Sequence, residues 1–204
     1  MGLVKLNDRG VRSATTIGSV SGGSFTFIKK LTASASATLS FVDGASDVVL
    51  DDTYKEYMFT FKDIHPATDN VQFTFNMSID TGSNYNVSKV HTFADAYNSE
   101  ASADGVLNYS TDHDMVGTGV AKITFNVGSD NDQSVSGHFT LFNPSSTTFV
   151  KHYIATTSLY AAWDASRRAA VAGYGNTTSA VDAIQFSMSS GNIDAGDICL
   201  YGIK

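Results

Sequence analysis

Residues Val71 to Ile79 read Val-Gln-Phe-Thr-Phe-Asn-Met-Ser-Ile, an unbroken alternation of apolar and polar side chains. A period of two puts Val71, Phe73, Phe75, Met77 and Ile79 on one face of a strand, whereas a helix would scatter them around its axis. Tyr57, Phe59 and Phe61 repeat the pattern just upstream. Ala121, Ile123, Phe125 and Val127 repeat it with Lys122, Thr124 and Asn126 turned outward, and Ile184, Phe186 and Met188 repeat it near the end. One-sided alternation belongs to antiparallel sheets that pack on one face. Val71, Phe73, Phe75, Phe125 and Phe186 are therefore expected in the core, and Gln72, Thr74, Asn76 and Thr124 at the surface or a subunit contact.

Turn chemistry separates the runs. Asp43-Gly44, Asp80-Thr81-Gly82-Ser83-Asn84, Asn143-Pro144-Ser145-Ser146 and Ser190-Gly191-Asn192 supply the positive φ values and side-chain turns that reverse a strand. The clearest hairpin spans Ser134 to Tyr160. The spacing predicts roughly ten strands in an all-β, antiparallel two-sheet sandwich of jelly-roll type over residues 24–204. Only Asp51 to Glu56 and Ala161 to Ala170 read as short helical excursions.

Composition narrows the function classes. The 204 residues carry 16% charged side chains, against about 25% in an ordinary domain, and Ser with Thr makes up about a fifth. A single Cys199 leaves no internal disulfide and no thiolate zinc site. No apolar run reaches the ~18 residues of a membrane helix. The start, Met1-Gly2-Leu3-Val4-Lys5-Leu6, lacks the apolar stretch of a signal peptide. Twenty acidic against thirteen basic residues repel a phosphate backbone, so neither nucleic acid nor membrane is an expected partner.

Charge is also unevenly placed. Residues 1–23 hold Lys5, Arg9 and Arg12 against Asp8, a net of +2, while the remainder carries −9. This segment ends in a Ser-Gly-Gly-Ser hinge and shows no sustained periodicity. Too few apolar groups are present to offset an ordering entropy of ~1–2 kcal/mol per residue. The reading is an extended docking arm that uses Leu3, Val4, Leu6 and Ile17 for burial and Lys5, Arg9 and Arg12 for acidic surface on a partner.

Catalytic patterns do not emerge. No Gly-x-Ser-x-Gly elbow or phosphate-binding glycine loop occurs. His138 and His152 could face each other across the hairpin, but two imidazoles without a third ligand make a poor metal site. Asp104, Asp112 and Asp114, and the Asp130-Asn131-Asp132 turn, offer oxygen ligands for calcium without the converging set that the ion needs. The expectation is no enzyme, no cofactor and no metal. Aromatic residues are the remaining functional material. Tyr160, Trp163 and Tyr174, with Asp164, Arg167 and Asn176, compose a surface suited to stacking on a sugar ring or to burial against another subunit.

Four stretches carry a family likeness: Asp63-Ile64-His65-Pro66-Ala67-Thr68-Asp69-Asn70, Phe142 to His152, Met188-Ser189-Ser190-Gly191-Asn192-Ile193, and Leu200-Tyr201-Gly202-Ile203-Lys204. They resemble virion-associated, tail-fibre-like structural proteins of tailed bacteriophages that infect marine bacteria, over roughly residues 50–204. The resemblance implies a virion component assembled in the bacterial cytoplasm, a homo-oligomer such as a trimer. Its implied partners are a portal or tail adaptor or the capsid, with host-surface glycan as a possible ligand. It transfers no catalytic residue. A capsid decoration protein is the alternative within this class, and a carbohydrate-active enzyme the alternative outside it.

Overall fold

The structure is a computed structural model that describes residues 24–101 and 105–204. The expected docking arm, with Leu3, Val4, Lys5, Leu6, Arg9, Arg12 and Ile17, lies outside the described residues, as does Asp104. Among the described residues thirteen strands form, more than the roughly ten expected. In chain order they are β1 (Phe25–Thr32), β2 (Leu39–Val42), β3 (Glu56–Pro66), β4 (Phe73–Ser78), β5 (Lys89–Ser99), β6 (Val106–Tyr109) and β7 (Met115–Gly117). They continue with β8 (Ala121–Lys122), β9 (Val135–Phe142), β10 (Lys151–Ala161), β11 (Ala165–Gly175), β12 (Ala183–Met188) and β13 (Ile193–Ile203). Every pairing is antiparallel. A large sheet runs β1-β13-β3-β9-β10-β11-β5-β6, with β7 also on β5, and a smaller one runs β2-β12-β4-β8. The expected two-sheet β-sandwich is what these strands build.

Aromatic rings fill the space between the sheets. Phe75 of the small sheet meets Phe139 at 4.7 Å and Tyr153 at 4.9 Å, between ring centroids. Phe186 lies 5.4 Å from Phe59 and 5.2 Å from Phe61. Edge-to-face and offset geometries dominate, as ring quadrupoles favour. Val71, Phe73, Phe75 and Phe186 are buried as expected.

Several expectations need correction. Thr74 and Asn76 are buried because β4 is covered on both faces, and Thr124, just past β8, is buried as well. The Asn76 amide donates to the Tyr85 and Thr118 carbonyls at 2.5 and 3.1 Å, so the following loops close over this strand. Thr124 Oγ1 accepts the Phe73 N–H at 2.8 Å. Ile79 falls just past the strand and is 42% exposed. The run from Ala121 shortens to a two-residue strand, and Phe125 is only half-buried. Among the described residues no helix forms. Ala161 to Ala170 becomes the turn and first half of β11, which pairs on both sides, with β10 and β5. His138 pairs with Thr156, and His152 with Tyr174, so the two histidines do not face each other.

Candidate functional site: a cleft beneath the overhanging sheet

The small sheet covers only part of the large one. Its phenylalanines reach β3, β9 and β10. Just past β8, Phe125 touches Phe93 of β5 at 5.1 Å. Farther out, no second sheet among the described residues covers the inward face of β11, β5 and β6, and its side chains change character accordingly. Phe93 is followed two residues on by Asp95, and Ala169 is preceded two residues back by Arg167.

Asp95 and Arg167 form a well-enclosed ion pair. Arg167 Nε and Nη2 each approach Asp95 Oδ2 at 2.8 Å, with side-chain exposures of 11% and 0%. Both donors fall on the same oxygen, and Oδ1 of Asp95 has no hydrogen-bond partner among the described residues. The guanidinium lies 3.2 Å from the Phe125 ring centroid and 5.3 Å from that of Tyr97. Phe125 is packed on its other contacts by His113, 3.9 Å between centroids. Burial pushes the His113 imidazole down to about 4, with Lys122 and Arg167 adding to the effect. Its Nδ1 meets Ser110 Oγ at 3.0 Å, while Nε2 has no partner among the described residues. His91 sits behind it. The His113 carbonyl accepts from His91 Nε2 at 2.9 Å, which leaves Nδ1 to accept from the Tyr153 hydroxyl at 3.0 Å. That ring is a neutral structural bridge.

Above this floor opens a cavity of about 210 Å³ whose rim is Asn108, Tyr109, Ser110, Thr111 and Asp112. The Tyr109 hydroxyl donates to Asp114 Oδ2 at 2.6 Å, and Asp114 Oδ1 takes the Phe93 N–H at 3.0 Å, which fastens the rim to β5. That bond to the carboxylate raises the pKa of Tyr109.

The aromatic surface expected from the sequence divides in two. Tyr160, Trp163 and Asp164 gather at the β10–β11 turn, where Tyr97 and Trp163 meet edge to face at 5.1 Å. Arg167 belongs to this end through Tyr97. A hydrogen bond to Glu100 pushes the Tyr160 phenol up to about 12. Tyr174 and Asn176 lie at the opposite end of β11, roughly 25–30 Å away at ~3.3 Å per residue. There Tyr174 packs on His152. Nothing in the sequence marks Asp95, because an Asp in an alternating strand reads as a solvent-facing residue. The one clue is phase, since Asp95 continues the inward series His91, Phe93.

A second feature sits at the far corner. The strands β13, β3 and β9 all shift register near Asp63, Ile64 and Gly196. His65 Nδ1 lies 2.6 Å from the Gln133 carbonyl. Asp63, Asp132 and Asp194 line a cavity of about 440 Å³ here. No group of three or more metal-ligating side chains converges on one point among the described residues. Comparison with protein-family models, curated proteins and solved structures produces no match.

Proposed function

We propose that this chain is a non-enzymatic component of a tailed-bacteriophage virion. It is a compact tail-fibre or receptor-binding knob that assembles as a homotrimer, with residues 1–23 as its anchor and host-surface glycan as the ligand of its loops. The observation that carries the reading is a pair of exposed apolar side chains at each edge of the large sheet formed by the described residues. Phe25 and Phe27 on β1 are 56% and 57% exposed, and Leu107 and Val116 on β6 and β7, at the opposite edge, are 82% and 84% exposed. Exposed apolar side chains at a sheet edge invite association, and the charges that would blunt β1, Lys29 and Lys30, fall in its second half, past Phe25 and Phe27. A closed ring in which the β1 edge of one copy meets the β6 edge of the next covers both at once, as a heterologous cyclic interface requires.

Two further points support it. Two of the four stretches that carry the family likeness meet in space: the Ala67 N–H donates to the Asn192 carbonyl at 3.0 Å, and Ile193 pairs with Pro66. The chain also has the reach to dock, since 23 extended residues span roughly 75 Å. The test is a chain beginning at Ser24, offered to particles that lack the native protein. It should stay folded and trimeric yet fail to join the particles. Incorporation at the normal level would place the anchor in the sandwich and refute the docking arm.

A further inference from the structure

We propose that the aromatic side chains of β1, Phe27 foremost, seat in an alanine-lined cavity over β11, β5 and β6 of a second copy of this chain. The inference deepens the assembly reading above and rests on it: it names the two surfaces that meet when copies associate.

The outer face of the large sheet carries the argument. Phe59, Phe139 and Tyr153 point into the core, so their neighbours Met58, Thr140 and Ile154 point away from it. Strand register aligns Phe27, Tyr201, Met58, Thr140, Ile154 and Ala172 in one row across this face. A neighbouring row runs from Lys30 to Tyr109 and holds one permanent charge, Lys30, which is paired with Asp197 at 3.2 Å. Side-chain size changes along the rows. The β1 end is bulky, with Phe27 and Tyr201 meeting edge to face at 5.7 Å. At the β6 end alanines take over and leave a cavity of about 130 Å³ lined by Ala94, Ala96, Ala170 and Leu107. An apolar cavity of ~150 Å³ accepts one benzene ring, so this one suits a phenylalanine side chain. Asp95 and Arg168 complete the lining. The Asp95 carboxylate is bound to Arg167 on the opposite face, and Arg168 offers a cation to the face of an entering ring.

Distance, area and charge make the occupant a second copy. From β1 to β5 there are six strand intervals of ~4.8 Å, so roughly 29 Å separates Phe27 from the cavity of its own sheet. No copy fills its own cavity. Across that width and the ~36 Å length of an 11-residue strand, the face covers about 1,000 Å², against the ~800 Å² that each partner gives to a standard interface. The two edges also complement each other. β1 carries Lys29 and Lys30 and no acid. β6, β7 and the turn between them carry Asp112 and Asp114 and no Lys or Arg, although Lys122 of β8 reaches the Asp112 carbonyl at 3.3 Å and offsets one of the two. Each copy offers one surface and accepts the other, the heterologous contact from which a ring closes.

The experiment is sedimentation velocity on the full chain, with far-UV circular dichroism as the check on folding. Phe27→Ala and Ala170→Leu change solvent-facing side chains at opposite ends of the sheet, and each should weaken self-association about tenfold. Ile79→Ala, exposed just past β4 of the small sheet, should leave it unchanged. A chain beginning at Ser24 should associate as the full chain does. Should one of the two interface variants not fold, the other decides the question alone. A monomeric full chain, an oligomer weakened by only one folded variant or by neither, or one weakened equally by Ile79→Ala would overturn the inference. So would association that appears only when residues 1–23 are removed, which would give the cavity to that segment. A dimer weakened by both variants would uphold the inference and refute the trimer, and a trimer indifferent to both would do the reverse. Particle incorporation is read by neither result, so the attachment reading stands or falls separately.

Discussion

Lys89 carries an amine into a core that offers it only carbonyl oxygens. Its Nζ donates to Asn76 Oδ1 at 2.5 Å and to the Val87 carbonyl at 2.7 Å, and the residue is fully buried. Desolvation favours the neutral form and draws the pKa down to about 8. The unfolded chain keeps the ordinary value of ~10.4, so between these limits it binds more protons than the folded chain, and stability rises with pH. The urea midpoint should therefore climb from about pH 8 to pH 10. Above that, Tyr57 and Tyr153, whose ionisation burial opposes, begin to reverse the trend. Lys151 is buried against the Phe149 and Thr177 carbonyls and acts in the same direction. Lys89→Met should thus flatten the climb without abolishing it. A profile unchanged by the substitution would mean that Lys89 is not desolvated. The core phenylalanines were legible in the sequence, because alternation reports the inward face directly. Lys89 was not. It continues the inward phase of β5, but a lysine on a strand is almost always at the surface.

At the scale of elements, the long strands were legible and their coverage was not. Val71 to Ser78 alternates as a strand covered on one face should, yet loops distant in sequence close over the second face, and no local pattern announces that. Ala161 to Ala170 failed for another reason. Its alanines favour helix weakly, but strand partners wait on both sides, and tertiary pairing outweighs a few tenths of a kcal/mol of propensity. The reversal needs only Ala162, Trp163 and Asp164, with Asp164 at φ +58° as the left-handed residue of a three-residue hairpin loop. Gly196 makes the corresponding argument at the bulged corner. It sits at φ +117°, and an added Cβ would lie 2.6 Å from the Asp63 carbonyl oxygen and 2.7 Å from Ile64 Cα. Backbone cannot yield as a side chain can. Gly196→Ala should cost about 2–3 kcal/mol in chemical denaturation, from strain and overpacking together. A cost near zero would show that the aligned bulges are loosely held.

For the molecule as a whole, the two-sheet sandwich followed from periodicity and turn spacing, while the overhang of one sheet beyond the other did not. Strand count per sheet depends on which strands pair, and that information is spread along the chain. The candidate site suffers most from this. Asp95, Asn108 and Arg167 are brought together only because β5 joins β6 on one side and β11 on the other. The exposed edges make a separate prediction. Leu107→Asp combined with Val116→Asp changes no buried side chain, so the fold should persist. The pair should convert a trimer to monomer by light scattering. A trimer that survives both charges would move the subunit contact away from this edge. The most direct measurement of the account is the number of copies of this chain in purified particles of the bacteriophage to which the proposal assigns it, by quantitative gel densitometry. A knob on a tail appendage predicts copies in the tens, in a multiple of three. Copies in the hundreds would identify a capsid decoration protein instead, and none at all would remove the chain from the virion.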